Sequence, residues 1–488
     1  MKPLTVARVW TLCTAWDIQN ADLSNRFWGD SLSQRLLAAV FSVVAIAVSA
    51  PVLAQDTRTV IEPTIPPVCA TLRAQLSAPH GIEPADETKL DTERLQRAID
   101  GCAPGKAVEL AADGTRDAFL TAPIELRKGV TLLVAKGVTL YGSRNPADFA
   151  TRPGACGVVS DQRGGCRPLI HADHADGAGI MGEGTIDGRG GAKLLIEGKP
   201  GPESWWDLAE DARKGGNQQV PRLIIFDSSN NVTIYKITLK NSAMFHLTYN
   251  GGDGLTVWGL RIDTPKTARN TDGVDPGNGS KNITVTHSFI RDGDDNIAIK
   301  GGRGGLTNMT VSHNHFYNGH GMSIGSETYG GVSKVLVTDL TLDGDDNALR
   351  IKSNPTRGGL VQDVTYDDVC IRNSRNPILL DTAYSYPGNG KDLFPEYKDI
   401  TFHDVRIAGG GKIQFGGLDA THRVGVKLDG VELTDGAANY RIVAAHADVE
   451  LGPGPVNFSV EGEDVKVTGK AGKGSLPSCK GRFAPFPE

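Results

Sequence analysis

One eight-residue pattern, apolar at its first, third, sixth and eighth positions, recurs along the second half of the chain, and it restricts the fold more than any other feature. It reads Val232-Ile234-Ile237-Leu239, Leu255-Val257-Leu260-Ile262, Ile283-Val285-Ser288-Ile290 and Met309-Val311-Asn314-Phe316. It continues as Val335-Val337-Leu340-Leu342, Val364-Tyr366-Val369-Ile371, Ile400-Phe402-Val405-Ile407 and Val426-Leu428-Val431-Leu433. Successive octets start 23, 28, 26, 26, 29, 36 and 26 residues apart. Alternation with period two, broken once by a two-residue step, describes two short strands meeting at a bend, and a repeat of that length is one coil of a solenoid. A further apolar strand lies between octets, at residues 296–300, 322–324, 348–352 and 378–380. Three strands per coil without an intervening helix predict an all-β chain folded as a single right-handed parallel β-helix. A β-sandwich would instead place its strands every 8–12 residues with no coil-length period. The 60 glycines in 488 residues fit many turns and exclude a helical bundle. One short helix is expected at Asp91 to Cys102, with Leu95, Ala98, Ile99 and Cys102 on one face, capping an open end of the coils. The Asn-x-Ser/Thr triplets at Asn231, Asn282 and Asn308 read as turn asparagines entering octets.

Leu36 to Ala50 is almost wholly apolar, follows Arg35 and leads to the small residues Val52 and Ala54. It is shorter than the ~20 residues of a membrane span, so residues 1–54 read as a signal peptide with a long amino-terminal region. The expected exported form has an extended lead-in at 55–67 and a β-helix domain at 68–488, and no membrane association after cleavage. Beyond residue 54 six cysteines remain, without close Cys-x-x-Cys pairs, and export favours disulfides over metal ligands. Fifteen connectivities are possible; locality favours Cys69–Cys102 and Cys156–Cys166, which leaves Cys370–Cys479. The net charge of −6 argues against nucleic acid as a partner, and a polyanionic substrate would need a local basic patch.

Four polar clusters accompany the strand between octets: Asn270-Thr271-Asp272, Gly293-Asp294-Asp295, Gly319-His320-Gly321 and Arg350-Ile351-Lys352. Steps of 22, 26 and 30 residues from Asp272 to Asp294, His320 and Arg350 are each about one coil. The clusters should therefore stack on strands ~4.8 Å apart and bring carboxylates from adjacent coils into one cleft. Alternation puts Arg350 and Lys352 on one face of their strand and Ile351 on the other. Taken singly these residues suit turns and solvated faces equally well. Their order and spacing carry the functional reading.

In that order, NTDGVD, GDDN, GHGMSIGSE and RIKS resemble glycoside hydrolase family 28, the polygalacturonases, and most closely their secreted bacterial endo-acting members. The likeness extends to GTIDGRGG at 184–191, SWWDLA at 204–209, TARNTDG at 267–273 and PILLDTAY at 377–384. It implies hydrolysis of internal α-1,4 bonds of de-esterified homogalacturonan with inversion, by a monomer without metal or other cofactor. Inversion needs one protonated carboxyl at the leaving oxygen and a carboxylate activating water on the opposite face. The resemblance assigns the acid to Asp294 and the water to Asp272 and Asp295. It gives His320 a role beside the acid, Arg350 and Lys352 the galacturonate carboxylate, and Tyr384 the cleft. Mutual repulsion among the carboxylates is expected to keep Asp294 protonated. Asp345-Asp346 repeats the Asp-Asp pair just before Arg350, but the family order assigns catalysis to the first pair and leaves the second as turn residues. Trp205 and Trp206 are expected to pack in the core or an end loop. An exo-acting or rhamnogalacturonan-directed relative, and a non-catalytic β-helix adhesin, are the alternatives.

Overall fold

The computed structural model describes residues 55–487, apart from 197 and 387; the expected signal peptide lies outside them. Within that range the octets form what their pattern predicts. The first half of each octet pairs in parallel with the same half in the next coil, as Val232 with Leu255, Leu255 with Ile283 and Ile283 with Met309. The second halves stack in a separate sheet, as Leu239 with Ile262 and Ile262 with Ile290. The strands between octets form the third sheet, from Ile224–Asp227 through Leu247–Asn250, Val274–Gly277, Ile297–Ile299, Met322–Gly325, Asn347–Lys352 and Asn376–Asp381. The three sheets wind as a right-handed parallel β-helix.

The bend inside each octet has one cause. Its fifth residue is Lys236, Gly259, His287, His313, Asp339, Asp368, Asp404 or Gly430, and each has a positive φ between 48° and 84°. Left-handed backbone is costly for most side chains, and Asn, Asp and Gly tolerate it best. The same conformation at Asn231, Asn282 and Asn308 turns the chain into the octets, as expected of turn asparagines. Inward octet positions are fully buried in one continuous core. Where the pattern is polar, Ser288 and Asn314 also lie inside, and the Asn314 side chain accepts from the Ser288 amide at 2.8 Å. A buried polar group must find such a partner or forfeit stability.

The coils begin earlier than the octet series, with Val68–Arg73 paired to Lys106–Ala111. The helix spans Thr92–Asp100, with Asp91 at its N-cap and Gly101 at its end, and buries Leu95 and Ile99 against the first coils. The three disulfides are those expected from the sequence. Outside the coils, residues 158–160 pair antiparallel with 217–219 and 193–196 with 199–204, and the helix Trp205–Asp211 follows the latter pair. Trp205 is fully buried there, and Trp206 packs on Gly190 and Gly191 while donating to the Ser242 carbonyl.

Both ends of the described chain run along the outside of the coils. Residues 55–67 pass from Thr310, whose hydroxyl accepts from the Asp56 amide, by way of Thr284, Leu255 and Tyr235, to Ala107. The carboxy-terminal segment passes over the second-half octet sheet in the same manner. Leu476 bonds Glu432, Cys479 joins Cys370, Arg482 pairs with Asp368 and Asp339, and Phe486 packs on Arg291. No described helix is long and apolar enough to cross a membrane.

Candidate active site

On the third sheet, inward residues Val274, Ile297, Met322 and Leu349 are register partners, so the residues two places before each align. Those are Asp272, Asp295, His320 and Asn347. The spacing argument places Arg350 in the same row as His320. The structure instead pairs Arg350 with Ser323 and Lys352 with Gly325, three and five residues further along. The step from Met322 to its partner Leu349 is 27 residues, so the 30-residue step overshoots one coil. All seven candidate residues, Asp272, Asp294, Asp295, His320, Arg350, Lys352 and Tyr384, nevertheless line one cleft of about 1390 Å³.

Glycines on either side bring His320 close. Gly319 and Gly321 have φ of 68° and 71°, and a Cβ at Gly319 would fall 2.7 Å from the Asp294 carbonyl. The chain therefore passes close enough for the His320 amide to donate to the Asp294 carbonyl, and its Nδ1 stands 3.0 Å from Asp294 Oδ1. Asn270 adds a backbone donor to the other Asp294 oxygen at 3.2 Å. Asp295, 1 % exposed, receives Lys352 Nζ at 2.7 Å, Ser323 Oγ at 2.7 Å and Arg350 at 3.4 Å. Tyr384 lies with its ring against both cations, 5.4 Å from the Arg350 guanidinium and 5.5 Å from Lys352 Nζ.

The electrostatics correct one expectation. Burial acts to raise the Asp294 carboxyl, but the His320 hydrogen bond and charge, with Lys352 and Lys300, outweigh it and hold Asp294 below the usual carboxylate range. Repulsion falls on Asp272 instead. Burial first, then Asp275 and Asp294, push its carboxyl well above 3.8. His320 is shifted the other way: burial acts to lower it, but the hydrogen bond to Asp294 and the surrounding carboxylates raise it above 6.5. The opposite shifts place the proton shared by the Asp294–His320 pair toward the imidazole. For Asp295, burial acts upward, but Lys352 and Arg350 prevail and lower it.

Two side chains that the sequence reading passed over belong to this cluster. Lys300 reaches Asp272 at 3.5 Å and Asp275 at 3.8 Å. Asp275 is 2 % exposed, neither of its oxygens has a hydrogen-bond partner, and burial pushes it up to about 7. The signal was available in the alternation of Val274-Asp275-Pro276 and Ile299-Lys300, which turns both polar residues to the cleft face. Of the second Asp pair, Asp345 is buried and burial raises it strongly, whereas Asp346 is exposed at the cleft edge, 3.8 Å from His320 Nε2. Asp294, Asp295 and His320 offer ligand atoms within 4.8 Å of one another and are the one such group among the described residues. A cation there would meet Lys352 and Arg350, which already neutralise Asp295.

The profile of glycosyl hydrolases family 28 matches residues 123–451, which contain all of this machinery. The chain belongs to that family. As a family 28 member it is 43% identical to an endo-polygalacturonase of Pectobacterium carotovorum subsp. carotovorum, over 82% of this chain and 95% of the relative. A polygalacturonase of Ralstonia nicotianae is 37% identical over 92% of this chain and 96% of its own length. The solved polygalacturonase from Erwinia carotovora ssp. carotovora superposes with a TM-score of 0.74 at 41% identity, covering 81% of this family 28 chain and 99% of that one.

Proposed function

We propose that the protein is an endo-polygalacturonase, hydrolysing internal α-1,4 bonds of de-esterified homogalacturonan with inversion. The observation that carries this reading is the cleft itself. Three carboxylates on two adjacent coils face the cations Arg350 and Lys352, the local basic patch that an acidic chain needs for a polyanion. Cleft groups extend past the carboxylates on both sides, to Arg213 in one direction and Tyr386 in the other, which suits binding along a polymer better than at its end.

In this reading Asp294 delivers the proton to the leaving oxygen. The Asp294–His320 pair stores it, and displacement from Nδ1 to the carboxyl arms the acid as the glycosidic oxygen arrives. Asp272 and Asp295 hold the water, with Asp272 taking its proton, so Asp272 must be ionised in the active form. Lys300 offsets the burial and repulsion that oppose this. A galacturonate carboxylate competes with Asp295 for Arg350 and Lys352, and the Tyr384 ring holds those cations in place. The enzyme acts as a monomer without a metal, after export that removes residues 1–54 and leaves the lead-in 55–67 and the domain 68–488.

The test is incubation with polygalacturonate, following viscosity, product size and the anomer first released. A rapid viscosity fall with mixed oligomers and β-anomer from the α-linkage is expected, undiminished by chelator. Monomer or dimer alone would make the enzyme exo-acting, and an α-anomer would refute inversion.

A further inference from the structure

The register row that holds the carboxylates continues toward the amino-terminal coils. Ile224 pairs with Leu247 and Leu247 with Val274, so Arg222 and Phe245 occupy the places that Asp272 and Asp295 occupy further on. The backbone repeats the alignment, Leu223 donating to the Phe245 carbonyl and His246 to that of Asp272. Arg222 therefore lies two coils before Asp272, ~10 Å along the cleft, and it lines the same cavity.

Its environment differs from that of the cations beside the carboxylates. Lys352 and Arg350 face Asp295, Lys300 faces Asp272, and Arg357 pairs with Glu327. Arg222 has no side-chain hydrogen bond or ion pair among the described residues, and its Nε is fully covered and unsatisfied. The guanidinium carbon lies over the Phe245 ring, 5.0 Å from its centroid, a contact that uses none of its N–H donors. A covered Nε without an acceptor is destabilising on its own, and a planar carboxylate arriving from the cleft would accept from it and from a terminal nitrogen together.

We propose that Arg222, held by Phe245, is a second carboxylate-reading station, which binds the free acid of a galacturonate unit beyond the ring next to the scissile bond. The inference rests on the polygalacturonate reading above. Arg222 and the Arg350–Lys352 pair then bracket the carboxylates, so productive binding requires unesterified acids on both sides of the cut. Arg222 is a specificity residue and takes no part in proton transfer.

The experiment compares wild type, Arg222→Gln and Arg222→Lys on end-labelled oligogalacturonates of increasing length. For Arg222→Gln, KM should rise about tenfold on oligomers long enough to reach the station, as for loss of a charge-assisted contact. On the shortest oligomer cleaved KM should be unchanged, and kcat should hold throughout. Arg222→Lys should recover part of the loss, and it carries the same length test if the glutamine variant does not fold. An equal loss at every length, or none at any length, overturns the proposal. If wild type itself leaves oligogalacturonate uncut, the functional reading fails instead, and the two failures are distinct.

Discussion

Replacing Lys352 with Met separates its support of Asp295 from any contact with substrate. Lys352 Nζ lies 2.7 Å from Asp295 Oδ2, with the two side chains 6% and 1% exposed, so little solvent remains to take over when the ammonium is removed. Breaking a buried pair from one side costs about 3–5 kcal/mol, and the remaining Ser323 and Arg350 contacts favour the lower end. Unfolding entropy of about 2.1 cal/mol/K per residue gives about 0.9 kcal/mol/K for the folded chain, so the expected fall in Tm is ~3 °C. The loss should grow with pH. In wild type the depressed Asp295 pKa contributes stability that is fully present above the unfolded value near 3.9. Without Lys352 the carboxyl pKa rises, and protonation relieves the strain at low pH but not at pH 7. Calorimetry of Lys352→Met at pH 5 and pH 7 measures this directly. Adding Asp295→Asn should restore most of the stability and none of the activity, because the amide needs no counter-charge. A Tm loss equal at both pH values, or one that Asp295→Asn leaves in place, would refute the pairing argument.

Other outcomes follow from the same geometry. Asp294→Asn should lower kcat by at least about 10²-fold in a folded protein, whereas Asp345→Asn should be mild, because burial already disfavours the charged form of that carboxyl; steady-state rates on polygalacturonate distinguish them. The kcat/KM profile should be a bell. Its acid limb lies above the ordinary carboxylate range, where the raised Asp272 ionises, and its alkaline limb lies above 6.5, where the Asp294–His320 pair loses its proton. His320→Asn should move the alkaline limb toward acid, and an unmoved limb would disconnect His320 from the acid. Cys479→Ser, opening the 109-residue loop to Cys370, should cost about 4.7 kcal/mol by loop entropy, or ~5 °C in Tm.

The architecture was legible because each octet states twice which side chains turn inward, and even the polar exceptions Ser288 and Asn314 kept their places. A second signal in the same octets went unread. The fifth position holds Lys236, His287 or His313 as readily as Asp or Gly, so its left-handed backbone shows in the structure and not in residue type. The candidate residues that share the cleft were legible as an ordered set, although coil-length counting misaligned Arg350, because a 27-residue coil and a 30-residue step look alike without register. Ionisation was not legible. Whether repulsion raises Asp294 or Asp272 depends on which of them His320 touches, and only distances decide that. Arg222 lacks any motif, and its meaning comes from alignment with residues fifty or more positions later.

The two terminal segments laid along the coils alter how such a molecule should come apart. A solenoid whose coils touch only their neighbours behaves as a one-dimensional chain of units, free to fray from either end or open in the middle. Here residues 55–67 tie the coil of Thr310 to that of Ala107, and the carboxy-terminal segment ties Glu432 to Arg291. Opening any coil between those anchors also strains a strand of chain fastened far away, so the nearest-neighbour description fails. The two spans overlap between Arg291 and Thr310, the coil that carries Asp294 and Asp295. Partial unfolding there would require both fastenings to yield together, which makes that coil the most cooperative part of the described chain.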